Sequence, residues 1–375
     1  MYSKTFLPRS MFASVVAAVF VFAPQAHVQG EPQQAPEGTG MPPSVVLISV
    51  DGVQKAALKR ALIWTEKNED GSPALCWTYR HAKRYPTNTG ELDENGAPIY
   101  SCMPALYREF TLIDSRTCDG KTMTKPQHVC MLTGLTQQQS GVTGNRSSKS
   151  IPYKSSIFDI MAAHFEPLPH GERHRELPVR TTMVSWRRFV GRPVAIWADR
   201  SRALQFQKGH GAKVHMPTRQ TLRMWDRLQD DEYPDTQIFS FLHYKVIDWA
   251  GHLSGTGSRG YHRHLISIDE QIRRLLKELD DRGWGHAAVI ITTDHGFPEK
   301  ASQHATRSGD GAPTEDFSIS DIWMAFRNDP HYAFADRVEE NGSTRTPEIT
   351  DITPTILDIF GVPVPKNLTG TSLLE

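Results

Sequence analysis

The run Ser44-Val-Val-Leu-Ile-Ser-Val50 is apolar and β-branched, with no alternation of polar and apolar positions. A strand of that kind is buried on both faces, as in the interior of a parallel sheet covered by helices. It stops at Asp51-Gly52, where a strand gives way to a loop. Two later runs have the same form: Gln237–Ile247 ends at Asp248, and His286–Thr292 leads to Asp294. Between them, Leu265, Ile268, Ile272, Leu275, Leu276 and Leu279 fall on one face of a helix that Gly283 closes. Further helices are predicted over Pro126–Leu132, stopped by Thr133-Gly134, and over Ile157–His164. Further strands are predicted over Tyr107–Ile113, Thr181–Ser185 and Val194–Trp197. Strands alternating with helices make the chain α/β with a mostly parallel sheet. Ligands of such sheets bind beyond the carboxyl ends of the strands, where all three aspartates are expected.

The 375 residues suffice for one large α/β domain or two smaller ones. Lys+Arg and Asp+Glu balance at 42 each, which argues against nonspecific nucleic-acid binding. The N-terminus carries the pattern of an export signal over residues 1–30: Lys4 and Arg9, then the apolar stretch Met11–Ala23, then small residues at Ala26 and Gly30. That stretch is short for a membrane span. Residues 31–43 are expected to be a linker, and 66–103, polar and turn-rich, an insertion. Four cysteines in an exported chain allow three pairings. The pairing favoured here is Cys76–Cys102, which would close the insertion, with Cys118–Cys130.

Three side-chain groups stand out. Asp51 precedes Gly52, Asp248 is followed four residues on by His252, and Asp294 is joined to His295. His304 lies ten residues after Asp294. Carboxylates and imidazoles are the ligands zinc takes where no thiolate is offered. Each alone has an ordinary reading, as a turn residue or a satisfied core histidine. Together, with a hydroxyl from Thr124, they would hold two metal ions. The stretch Thr122-Met-Thr-Lys-Pro-Gln-His128 likewise has two readings: a capped helix start, or a hydroxyl aimed from the mouth of a helix that Pro126 begins.

These residues resemble the alkaline phosphatase superfamily, and most of all its type I phosphodiesterase/nucleotide pyrophosphatase branch. The carriers are Val50-Asp51-Gly52, Thr124–His128, Thr133-Gly134, Gly141–Asn145, Asp248-x-x-Gly-His252 and Thr293–Gly296, with a C-terminal tail over Thr350–Pro365. The resemblance covers residues 44–375. It implies a three-layer α/β/α sandwich and an exported hydrolase of phosphoric esters, secreted or periplasmic. It also implies two divalent cations, zinc by ligand type. Thr124 resembles the nucleophile. Asp51, Asp294 and His295 resemble ligands of one cation, and Asp248, His252 and His304 ligands of the other. Asn145 resembles the amide that contacts a phosphoryl oxygen. Lys125 stands beside the nucleophile as a further substrate contact, where the branch often has an aromatic.

The expected partner is a small phosphate ester, with nucleic acid excluded beyond nucleotide substrates. A phosphomonoesterase of the same superfamily is the alternative, which Lys125 and the pair Arg187 and Arg188 would favour. A sulfatase would need cysteine or serine where Thr124 stands. A noncatalytic binding protein would be expected to have lost ligands or nucleophile. His331 competes with His304 for the third ligand position of the second cation.

Overall fold

The computed structural model describes residues 44–79, 82–149, 151–152, 154–165, 179–185, 190, 204–208, 213–229, 237–297, 319–340 and 343–375. The expected export signal and linker, the strand Val194–Trp197, the arginine pair and His304 lie outside them. The described residues belong to one compact unit, Thr39–Glu375.

Seven strands make the main sheet: β1 Val45–Val50, β2 Phe110–Arg116, β3 Val179–Ser185, β4 Leu204–Lys208, β5 Gln237–Tyr244, β6 Ala288–Thr292 and β7 Asp321–Arg327. Their order is β2-β7-β6-β1-β5-β3-β4. Pairings from β6 through β4 are parallel, and only β7 runs against its neighbours. The sheet is therefore mostly parallel, as the unalternated runs required. β1 shows why the run could not alternate. Val46, Ile48 and Val50 pack with Leu58, Trp225, Leu265 and Ile272, while Val45 and Leu47 pack with Val129, Met131, Phe158 and Ile356. Each face of the strand has its own helical layer, which makes the three-layer sandwich.

One covering layer holds the helices Lys55–Leu62, His215–Leu228 and Arg259–Asp281. The other holds Thr124–Thr133, Ile157–Phe165 and Ile352–Ile359. The 23-residue helix Arg259–Asp281 starts at Ser258, whose hydroxyl accepts from Tyr261 N, and buries its six predicted apolar positions. Residues 66–103 form two small hairpins off the main sheet. The disulfide Cys76–Cys102 closes them against the body, and Cys118–Cys130 fastens the exit of β2 to the helix Thr124–Thr133.

Two expectations need correction. The run Gln237–Ile247 is a strand only to Tyr244, and a helix, Val246–Ser254, begins inside it. Asp248 therefore lies in the first turn of that helix rather than at a strand end. The helix is what puts Asp248 and His252 on one face. The segment Tyr107–Ile113 is likewise divided, between a short helix, Pro104–Glu109, and β2.

Candidate active site

The site is built at the carboxyl ends of β1, β6, β5 and β2. β1 delivers Asp51 directly, and β6 delivers Asp294 and His295 two and three residues past its end. The helix after β5 brings Asp248 and His252. After β2 the chain crosses to the helix Thr124–Thr133, with Thr124 as its first residue. The N-cap is Met123, without a side-chain cap bond, so Thr124 is not a capping residue and Pro126 does not start the helix. Thr124 is buried, and in this first turn the Lys125 N–H donates to Asn145 Oδ1 and the Gln127 N–H to the Met123 carbonyl. Gly134 in the left-handed conformation ends the helix as expected.

Asp51, Asp294 and His295 are fully buried, and one ligand atom of each lies within 4.8 Å of the others. His295 Nε2 is 3.4 Å from Asp51 Oδ1 and 3.3 Å from Asp294 Oδ2. The carbonyl of Gly296 lies 3.1 Å from His295 Nδ1 and can only accept, so Nδ1 carries the proton. Nε2 then turns its lone pair toward two carboxylate oxygens. Among the described residues, Asp51 Oδ1 and Asp294 Oδ2 have no hydrogen-bond partner. Burial first, then the mutual repulsion of Asp51, Asp294 and Asp248, raises the pKa of Asp51 well above the ordinary carboxylate range. Asp294 is raised too, mainly by burial. Converging lone pairs around unpartnered buried oxygens fit a divalent cation bound by Asp51, Asp294 and His295.

A second layer holds these carboxylates. The backbone N–H of Gly52 donates to Asp294 Oδ1 at 3.1 Å, and His243 Nε2 donates to Asp51 Oδ2 at 3.0 Å. His128 is wholly buried. Its Nδ1 lies 2.7 Å from the Thr124 carbonyl and 3.4 Å from Asp294 Oδ2, while Nε2 accepts from Ser49 Oγ at 2.8 Å. Burial pushes the pKa of both His128 and His243 down, so both are neutral imidazoles. Sequence reasoning assigned neither a role. For His243 the signal was its place five residues before Asp248 on a strand whose neighbour ends in Asp51. The register pair Ser49↔His243 realises it.

Asp248 Oδ1 lies 3.5 Å from His252 Nε2. Phe297 joins this pair to the first cluster. Its ring is 5.5 Å from that of His252 and 6.3 Å from that of His295. A Cβ on Gly251 would stand 2.5 Å from Phe297, and one on Gly52 would stand 2.8 Å from Phe297 and 2.9 Å from Asp248. Gly52 also has φ of +69°, so glycine is required there twice over. Trp249 and Leu253 are exposed, one turn apart on the helix that carries Asp248 and His252. Asn145 Oδ1 accepts from the backbone N–H of Lys125 at 2.9 Å, which leaves its Nδ2 to donate. The Lys125 ammonium donates to the Ser147 carbonyl, and burial lowers its pKa. His331 is not part of this constellation: it lies beside His286 and Asp329, at the other end of β6.

The family described as type I phosphodiesterase / nucleotide pyrophosphatase matches residues 103–346. Among curated proteins, GPI ethanolamine phosphate transferase 2 of Schizosaccharomyces pombe is 29% identical over 142 residues, 35% of this chain and 18% of that protein. The chain thus spans less than a fifth of the length of that relative. Among solved structures, murine ectonucleotide pyrophosphatase/phosphodiesterase 5 aligns with a TM-score of 0.52 at 12% identity, over 88% of this chain and 100% of that one. A 2-O GAG sulfatase aligns with a TM-score of 0.53 at 10% identity, over 88% of this chain and 73% of that one. Both structural likenesses are of fold, and they agree with the alkaline phosphatase-like sandwich.

Proposed function

The chain belongs to the type I phosphodiesterase / nucleotide pyrophosphatase family, and from that premise we propose that it hydrolyses phosphoric esters, diesters before monoesters, with Thr124 as nucleophile. Asp51, Asp294 and His295 would hold one divalent cation. Asp248, His252 and His304 would hold a second. The nitrogen and carboxylate donors favour zinc. Bound there, such cations lower the pKa of a hydroxyl and offset the charge of the phosphoryl group.

The observation that supports this reading is the place of His128, whose Nδ1 donates to the Thr124 carbonyl and lies 3.4 Å from Asp294 Oδ2, so that the hydroxyl-bearing residue and a cation ligand share one buried neighbour. In the proposed reaction Thr124 Oγ1 loses its proton and attacks phosphorus in line, forming a threonine phosphoester as the bond to the leaving oxygen breaks and that oxygen takes up a proton to depart as the alcohol. Water then attacks the same phosphorus, and the Thr124 oxygen leaves with a proton. Asn145 Nδ2 donates to a phosphoryl oxygen, and the positive end of the helix that Thr124 begins favours the charge of the phosphoryl group. Gly52 N–H and His243 hold the carboxylates in place while charge moves, which is positioning rather than chemistry.

The Lys125 ammonium donates to the Ser147 carbonyl and keeps further donors for a phosphoryl oxygen. Trp249 and Leu253 offer apolar surface to a leaving group beside Asp248. Residues 44–375 act as the catalytic domain of a chain exported by residues 1–30. Its two disulfides support an oxidising compartment. No helix among the described residues is long and apolar enough to cross a membrane.

The test is turnover of bis-p-nitrophenyl phosphate and p-nitrophenyl phosphate by parent and Thr124→Ala, with and without zinc. Zinc-dependent diester preference, abolished by the substitution, is expected. Activity that survives in Thr124→Ala would refute the covalent step, and monoester preference would refute the substrate class.

A further inference from the structure

At the end of the sheet opposite the active site, three metal-ligating side chains meet. His286 precedes β6, while Asp329 and His331 follow β7, the antiparallel neighbour of β6. One ligand atom of each lies within 4.8 Å of the others. His286 and Asp294 stand eight residues apart along and beyond β6, on the order of 20 Å at the rise of an extended chain. The cluster is therefore separate from the site described above.

Its parts are fixed by bonds outside the cluster. Arg327 Nη1 donates to the Gly285 carbonyl at 2.6 Å, and Nη2 lies 3.3 Å from Asp280 Oδ1, which pins the His286 loop to the end of β7. The backbone N–H of Asn328 donates to the Glu109 carbonyl at 2.8 Å, anchoring the other loop. Asp329 is oriented by the His331 N–H, which donates to its Oδ1 at 2.9 Å. Its side chain is 7% exposed, whereas that of His286 is 79% exposed. A carboxylate is thus held nearly buried at the floor, with one imidazole open to solvent above it.

The separations suit a cation. His286 Nδ1 is 3.5 Å from Asp329 Oδ2. Ligand bonds of about 2.0–2.1 Å at tetrahedral angles place neighbouring donor atoms roughly 3.4 Å apart. The His286 and His331 rings stand 4.7 Å apart at 90°, an arrangement that lets two nitrogens aim at one point from different directions.

We propose that His286, Asp329 and His331 form a second, noncatalytic cation site for a borderline divalent transition metal, zinc first, with water completing its coordination. Two imidazoles and one carboxylate select such an ion over calcium or magnesium, which take oxygen ligands. Bound there, the ion clips the entry of β6 to the exit of β7 at the end of the sheet away from the chemistry.

The experiment counts zinc. Chelator-stripped full-length protein is dialysed against Zn2+ alone, and bound zinc per chain is measured for the parent, His286→Ala/His331→Ala and Asp294→Asn. The double-histidine variant is expected to hold one zinc fewer than the parent, with its rate on bis-p-nitrophenyl phosphate unchanged. Asp294→Asn is expected to lose zinc from the active site and to lose one more when the two histidine changes are added. Equal zinc in parent and double-histidine variant overturns the proposal, whatever the chain hydrolyses. His331→Gln alone, with circular dichroism as the check on folding, gives the same reading with less disturbance: full zinc content overturns the site and reduced affinity upholds it.

Discussion

Gly251 lies between Asp248 and His252, and the Phe297 ring lies against it. A Cβ there would stand 2.5 Å from Cζ of that ring, against 3.4 Å or more for an ordinary contact. Gly251→Ala must therefore push ring and helix apart by about 1 Å, the difference of those two distances. Phe297 is fully buried, so the ring has little room to give. Overpacking of this kind costs on the order of 1–3 kcal/mol, while alanine regains about 1 kcal/mol of helix propensity. The net loss of stability is small, roughly 0–2 kcal/mol. Activity should suffer far more, because the helix carries Asp248 and His252 away from Asp51 and Asp294. A misplacement of about 1 Å can cost on the order of 100-fold in rate. The assay is kcat/KM on bis-p-nitrophenyl phosphate beside a thermal melt, for Gly251→Ala, Phe297→Leu and the pair. The expected result is a folded, nearly inactive single variant that regains activity when Phe297 is trimmed. Gly251→Ala with parental activity, or a pair no better than the single variant, would refute the idea that this ring sets the spacing of the two half-sites.

Replacing His128 separates its two bonds. His128→Asn keeps a donor near the position of Nδ1 and should retain most of kcat, whereas His128→Gln mimics Nε2 and should lose roughly 10- to 100-fold; equal rates would remove the link to Thr124. Asp269, which accepts from the Ala105 and Leu106 backbones, has its pKa raised to about 6, chiefly by burial. The fold therefore favours its protonated form, and stability falls as pH rises from about 4 through 6. The two-unit shift bounds this at roughly 3 kcal/mol. Urea melts of parent and Asp269→Asn across that window should show a flatter profile in the variant. Disulfides spanning 26 and 12 residues each constrain the unfolded chain by about 3–4 kcal/mol. Cys118→Ala/Cys130→Ala should lower both the melting temperature and the rate, since Cys130 lies in the helix that Thr124 begins, whereas Cys76→Ala/Cys102→Ala should lower the melting temperature alone.

What could be read from the sequence was what periodicity and position encode. β1 and β6 announced themselves as runs with no alternation, and the helix Arg259–Asp281 by its 3.6 spacing. The strand Asp321–Arg327 was missed, although its run, Asp-Ile-Trp-Met-Ala-Phe-Arg, is buried over its middle and Asn328-Asp329-Pro330 marks its end. The run through Tyr244, Lys245 and Val246 hid a change of structure, because a buried strand and the start of a buried helix are both apolar. The same limit explains the site. Asp51 and Asp294 were legible from their places at and just beyond strand ends. His243 was not, because its contact with Asp51 depends on a register between strands almost 200 residues apart, Ser49 opposite His243, and His128 was not, because its contacts with Ser49 and Asp294 depend on how its helix packs on the sheet. Nor could spacing assign His331, since residues near in sequence can lie at either end of a sheet.

The parallel centre of the sheet explains why the cluster is both tight and costly. β6, β1 and β5 are neighbours, and adjacent strands lie about 4.8 Å apart. Carboxylates released from adjacent ends therefore start within a few ångströms of one another, before any side chain moves. Burial raises the pKa of both Asp51 and Asp294, and repulsion from Asp294 and Asp248 adds to it at Asp51. His243 and the Gly52 N–H offset this in part by donating to one oxygen of each carboxylate, which turns the other toward His295. That division of the oxygens, one held from below and one left facing the site, prepares the acids for a cation. It follows that His243→Ala should weaken cation binding more than it weakens the fold, because the bond it removes orients a ligand rather than joining two layers.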